Sequence, residues 1–155
     1  MRRALLVDPN KSRLDLLRRE AGAIVDVTAC TDFRSARECL LTTSPSFLFS
    51  HFRLGAYNGL YLVHLAVHAR IDARFVLFDE HVDPLLAFEA RQIGAFCESS
   101  SRLRFAIRSY LASKLPDRDR RDARCPDRRA QFRGGRRGTD LSLEELSGTP
   151  STPLH

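Results

Sequence analysis

Residues 4–10 read ALLVDPN, four consecutive apolar side chains from Ala4 to Val7 stopped by Asp8-Pro9-Asn10. A strand with one wet face alternates apolar and polar residues. An unbroken apolar run that ends on turn residues instead predicts a strand covered on both faces, as in a parallel sheet layered by helices. From Ser12 the apolar spacing changes to three and four, with Leu14, Leu17 and Ala21 inside, Arg13, Arg18 and Arg19 outside, and Gly22 as a stop. The β-branched stretch Ala23 to Cys30 predicts a second strand, and Thr31-Asp32 offers a cap for a helix over Phe33 to Leu41 that ends before Ser44-Pro45.

The alternation continues. Phe47 to Phe49 predicts a third strand, Gly55 to Gly59 a loop, and Leu60 to Ala69 a helix with Leu60, Val63 and Val67 on one stripe. Arg74 to Phe78 predicts a fourth strand. Asp83-Pro84 opens a helix with Asp as cap and Pro in the first turn, and its apolar residues Leu86, Phe88 and Ile93 lead to a stop at Gly94. A short fifth strand follows over Ala95 to Cys97. The last helix, Ser101 to Lys114, has Leu103, Ala106, Ile107 and Leu111 inward and Arg102, Arg104 and Arg108 outward, and Pro116 ends it. Five strand-helix units with short connections predict an α/β fold, a doubly wound parallel five-stranded sheet. In such sheets the functional crevice lies beyond the carboxyl ends of the strands. That singles out Asp8 to Asn10, His51 to Gly55, Asp79 to His81 and Glu98 to Ser101.

Composition fits one domain and a tail. The 155 residues are 43% hydrophobic and 28% charged, enough to bury a core. Only four apolar residues precede Asp8 without interruption, too few for a secretory leader, and the uncharged run Leu54 to Ala69 is shorter than the roughly 20 apolar residues that span a bilayer. Cys30, Cys39, Cys97 and Cys125 form no CxxC pair, which argues against a zinc site or a disulfide framework and for a reducing cytoplasm; each reads as a small hydrophobe.

The net charge of +6 suggests nucleic acid until its location is considered. Lys114 to Gly138 carries ten Lys and Arg against four Asp, leaving 15 basic and 15 acidic groups elsewhere. The domain is therefore expected over residues 1–115, and a basic, disordered tail over 116–155. That tail has one aromatic residue in its basic stretch, Phe132, so it lacks a base-stacking platform. Ser142 and Glu145 have capping-box spacing, with Leu141, Leu143 and Leu146 beside them.

Taken together, ALLVDPN, FSHFRLGAYNGLYLVHLA, RFVLFDEHVDP and GAFCESS, in this order and at these intervals, resemble the receiver domain of two-component response regulators over about Arg2 to Leu115. The resemblance implies a flavodoxin-like receiver fold and a role in bacterial phosphorelay signal transduction. It also implies a pocket that this sequence does not fill in the usual way. Counting back from Asn58-Gly59, the phosphoacceptor position falls on His51, with Ser50 as its neighbour. The acidic pair becomes Asp8 and Pro9, the hydroxyl position becomes Asp79, and the lysine position falls near Ser99 or Ser100. No lysine lies between Lys11 and Lys114.

The resemblance thus implies a degenerate pseudo-receiver, not an enzyme, with weak or absent Mg²⁺ binding and no other cofactor. Asp8 then reads as a strand-end carboxylate capping its loop, and His51 as a filler pairing with Asp8 or Asp79. His64 and His68, four apart on a helix, read as a polar face without further metal ligands. The expected partner is a signalling protein, or a second copy, bound on the face of helix four, strand five and helix five through Phe88, Phe96, Arg104, Arg108 and Tyr110. Phe96 also matches the family's aromatic switch position. The alternative is a nucleic-acid or anionic-surface binder acting through the Arg-rich tail.

Overall fold

The computed structural model describes residues 2–112. Its elements are β1 (Arg3–Val7), α1 (Lys11–Gly22), β2 (Asp26–Cys30), α2 (Phe33–Thr43), β3 (Phe47–His51), β4 (Arg53–Leu54), β5 (Tyr57–Asn58), α3 (Leu60–His68), β6 (Arg74–Asp79), α4 (Pro84–Gln92), β7 (Phe96–Ser99) and α5 (Ser100–Ala112). Five strands form one parallel sheet, as the sequence predicts, and their order is β2-β1-β3-β6-β7. The expected tail, with the Arg-rich stretch, Cys125 and the Ser142 and Glu145 pair, lies outside the described residues.

The unbroken apolar runs are explained by two cores. Ala4 and Leu6 of β1 join Phe47, Phe49, Val76 and Phe78 under α1 and α5, where Leu14, Leu17, Leu103, Ile107 and Leu111 pack. Leu5 and Val7 join Leu48 and Leu77 under α2, α3 and α4, against Ala36, Leu40, Leu62, Val63 and Ala90. Each central strand thus sends alternate side chains into a different dry layer. The edge strand β2 is covered less: Asp26 to Ala29 alternate between exposed and partly buried, and Cys30 at its end is buried.

Several boundaries move, each for a local reason. Asn10 caps α1 by accepting from the Arg13 backbone N–H, so the helix starts at Lys11. β2 begins at Asp26, in register with Arg3, because Ala23 to Val25 turn beneath the end of α1. α2 runs to Thr43 and closes on Ser44 in the left-handed conformation. The loop expected over Gly55 to Gly59 contains a small antiparallel hairpin, β4 with β5, turning at Gly55 with φ of 66°. Val67 does not belong to the buried stripe of α3: it is 50% exposed, and Ala66 takes the inward position. On α4 the inward residues are Ala87 and Ala90, while Phe88 is 52% exposed. β7 passes directly into α5, so no connecting loop separates Ser99 from Ser100.

Candidate functional site

Among the described residues the buried polar or charged ones are Asp8, Ser50, His51 and Asp79, all at the carboxyl edge of the three central strands. Burial of such groups requires partners. Asp8 finds them in the first turn of α1. Its Oδ1 accepts from Arg13 Nη2 at 2.8 Å and from the Asn10 backbone N–H at 2.9 Å, while Oδ2 accepts from Arg13 Nε. The guanidinium therefore grips the carboxylate with two nitrogens. Asp8, by hydrogen bond and charge, raises the pKa of Arg13 above its ordinary value against the opposing effect of burial. The same guanidinium reaches Glu80 Oε1 at 3.4 Å and lies 5.8 Å from the centre of the Phe78 ring.

His51 and Asp79 form the second half of the site. His51 Nδ1 lies 3.0 Å from the Arg53 backbone nitrogen and 3.1 Å from the Arg53 carbonyl oxygen. Nε2 faces Asp79 Oδ1 at 3.7 Å. Asp79 Oδ1 also accepts from the Glu80 backbone N–H at 2.7 Å, and Oδ2 lies 3.3 Å from Arg53 Nε. Arg53 is itself largely exposed, so solvent screens that pair. Ser50 points to the other side, donating to the His51 carbonyl at 3.1 Å beneath Gly59. His51 is thus the strand-end residue that faces Asp79.

Ser99 is in register with Asp79 across the β6 to β7 pair, and its hydroxyl lies 3.3 Å from that of Ser101. Pro9 is exposed and supplies no oxygen from its side chain. These residues do not fit Mg²⁺. A hard cation needs several oxygen ligands, whereas both Asp8 oxygens are held by Arg13, Pro9 has none, and His51 offers nitrogen. A phosphoryl group beside His51 would meet the like charge of Asp79, with Arg53 as the exposed cation next to it.

The residues expected to make a partner face are not brought together as one patch. Phe88 stands on α4. Phe96 packs edge-on against Tyr110 at 5.8 Å between ring centres, and the Tyr110 hydroxyl donates to Glu98 at 2.7 Å. Arg104 and Arg108 sit on the opposite flank of α5: Arg108 Nε lies 2.7 Å from Glu20 Oε2 of α1, and Arg104 lies over the Phe105 ring. Arg104 and Phe105 also line a cleft of about 630 Å³ between α1 and α5, with Asn10, Arg13, Leu16 and Glu80 on its other sides. His64 and His68 are both exposed on α3. Among the described residues no three His, Cys, Asp or Glu side chains gather as a metal site.

Sequence reading missed Arg13 and Arg53, the two cations that occupy the site. Arg13 reads as part of the wet face of α1, and its only signal is that it follows a strand-end carboxylate by five residues. Cys30 and Cys39 also meet, with their sulfurs 3.6 Å apart, although no motif spacing announces it.

No family model matches the sequence, and no curated relative matches it. Solved structures do. The signal receiver domain of a LuxO repressor protein from Vibrio parahaemolyticus is 19% identical with a TM-score of 0.63, over 72% of this chain and 91% of that one. A chemotaxis response regulator of Vibrio cholerae is 16% identical with a TM-score of 0.59, over 72% of this chain and 99% of that one. The signal receiver domain of an HD domain-containing protein from Pseudomonas fluorescens is 20% identical with a TM-score of 0.61, over 71% and 86%. The fold is that of receiver domains.

Proposed function

We propose that this chain is a pseudo-receiver, a signalling module of the two-component kind that works by binding another protein and not by phosphorylation of an aspartate. It is not an enzyme. The observation that carries this reading is the grip of Arg13 on Asp8, which commits the one carboxylate of the acidic pair to a cation belonging to the chain itself. Similarity in fold to receiver domains supports the signalling role. A receiver's output is an equilibrium between two arrangements of its surface, and a protein that binds one arrangement better shifts that equilibrium as effectively as a phosphoryl group. The contact belongs to the side made by α4, β7 and α5, where Leu85 is 75% and Phe88 52% exposed. Its partner is a signalling protein. Among the described residues no helix is long and apolar enough to cross a membrane.

The second reading rests on charge, since the excess of basic residues is confined to Lys114 through Gly138. Salt separates the two. Phosphate contacts release counterions, and their affinity falls steeply as salt rises, whereas an apolar contact holds. Residues 1–115 and the full chain, each immobilised, should capture the same protein from lysates of the cells that make it and retain it at high salt. Capture by the full chain alone, of nucleic acid and with loss at high salt, would favour the second reading.

A further inference from the structure

Cys30 closes β2 and is buried among Val7, Ala36 and Leu40, while Cys39 lies two turns into α2 and is only partly buried. Their sulfurs are 3.6 Å apart, in van der Waals contact, with both thiols free. We infer that Cys30 and Cys39 are a redox modification site that closes into an intramolecular disulfide when the protein meets a hydroperoxide. Forming a bond of about 2 Å asks each sulfur to move by less than about 1 Å, which side-chain rotation can supply.

The chemistry divides between the two residues by exposure. Burial, followed by the hydrogen bond that Cys30 donates to Cys39, pushes the Cys30 thiol up to about 12, so Cys30 stays protonated and is shielded from solvent. Cys39 is the residue an oxidant reaches. Its thiolate attacks the outer peroxide oxygen, the O–O bond breaks, the alcohol or water leaves, and Cys39 becomes a sulfenic acid. The Cys30 sulfur then attacks the Cys39 sulfur; the S–O bond breaks and the hydroxyl leaves as water with the Cys30 proton. Two thiols have lost two electrons to one peroxide.

The pair is coupled to the candidate site through the backbone. The Cys30 carbonyl accepts the Asp8 backbone N–H at 3.1 Å, and Cys30 is in register with Val7. A bridge from Cys30 to Cys39 therefore ties α2 to the strand end that holds Asp8. Neither Cys97, on β7, nor any charged pair of the candidate site takes part in it.

Trypsin gives a direct readout, because Arg34 and Arg37 lie between the two cysteines and cleavage separates them unless they are linked. The reduced full chain is treated with hydrogen peroxide, remaining thiols are alkylated, and intact mass and tryptic peptides are measured. The expected result is loss of two thiols, a linked pair of peptides containing Cys30 and Cys39, and reversal by a dithiol. Cys39→Ala, at a partly exposed position, abolishes the link while circular dichroism stays native. In urea the preference disappears and links scatter among all four cysteines. All four thiols still alkylating, Cys39 passing on to sulfinic acid, or native-state linkage through Cys97, Cys125 or a second chain would each overturn the inference.

Discussion

The Arg13 guanidinium holds the Asp8 carboxylate through two nitrogens, and the two residues are unequally placed, Asp8 being wholly buried while Arg13 keeps contact with solvent. A buried charge that loses its partner is costly, so the two ends of the pair should respond differently to substitution. Arg13→Met strands a carboxylate and should lower stability by about 3 kcal/mol in urea unfolding. Adding Asp8→Asn to it should recover more than about 1 kcal/mol, the mark of direct coupling. Arg13→Met should also let Mg²⁺ raise the melting temperature more than it does in the wild type, because cation binding then meets an unclaimed carboxylate.

Gly59 stands against the end of β3. A methyl group there would meet the His51 carbonyl oxygen at 2.3 Å and Ser50 Oγ at 2.7 Å. The backbone cannot yield cheaply, so Gly59→Ala should cost about 1–3 kcal/mol. Gly22 has nothing within 4 Å of such a methyl. Gly22→Ala, at the end of α1, should be neutral or stabilise by up to about 1 kcal/mol. Paired denaturation curves check both, and equal effects would contradict the packing described for Gly59.

Asp32 caps α2, accepting from the Ser35 backbone N–H at 2.8 Å and from its hydroxyl at 2.9 Å. The backbone hydrogen bond, then the hydroxyl, holds its carboxyl below the usual carboxylate range. A folded-state pKa below the unfolded one means stability that is present above the ordinary value and lost as pH falls through the lowered one. Asp32→Ala should therefore cost about 1 kcal/mol at neutral pH. The gap to wild type should close as pH drops below about 4. A gap that widens with acid would reverse the assignment.

The central strands were legible because burial on two faces leaves an unbroken apolar signature, which Ala4 to Val7 and Phe75 to Phe78 both carry. The edges were not. β2 and β7 pair on one side only, and their half-buried patterns do not mark where pairing begins. Helix faces failed where small residues do the packing: hydrophobicity favours Val67 and Phe88, but close approach to the sheet selects Ala66, Ala87 and Ala90. In the site, Asp8, His51, Asp79 and Ser99 were legible because each ends or follows a strand. Arg13 was not, since whether a first-turn arginine reaches back to the preceding strand depends on the turn formed by Pro9 and Asn10. The pairing of Arg108 with Glu20 depends in turn on α1 and α5 sharing a face.

The central claim is that the site does not accept a phosphoryl group, and intact mass tests it most directly. The full chain is incubated with acetyl phosphate and Mg²⁺ and its mass is read before any acyl phosphate can hydrolyse. With Asp8 claimed by Arg13 and His51 facing Asp79, the account predicts no gain in mass for the wild type. A gain of one phosphoryl group on the wild type, lost in Asp8→Ala or His51→Ala, would contradict it.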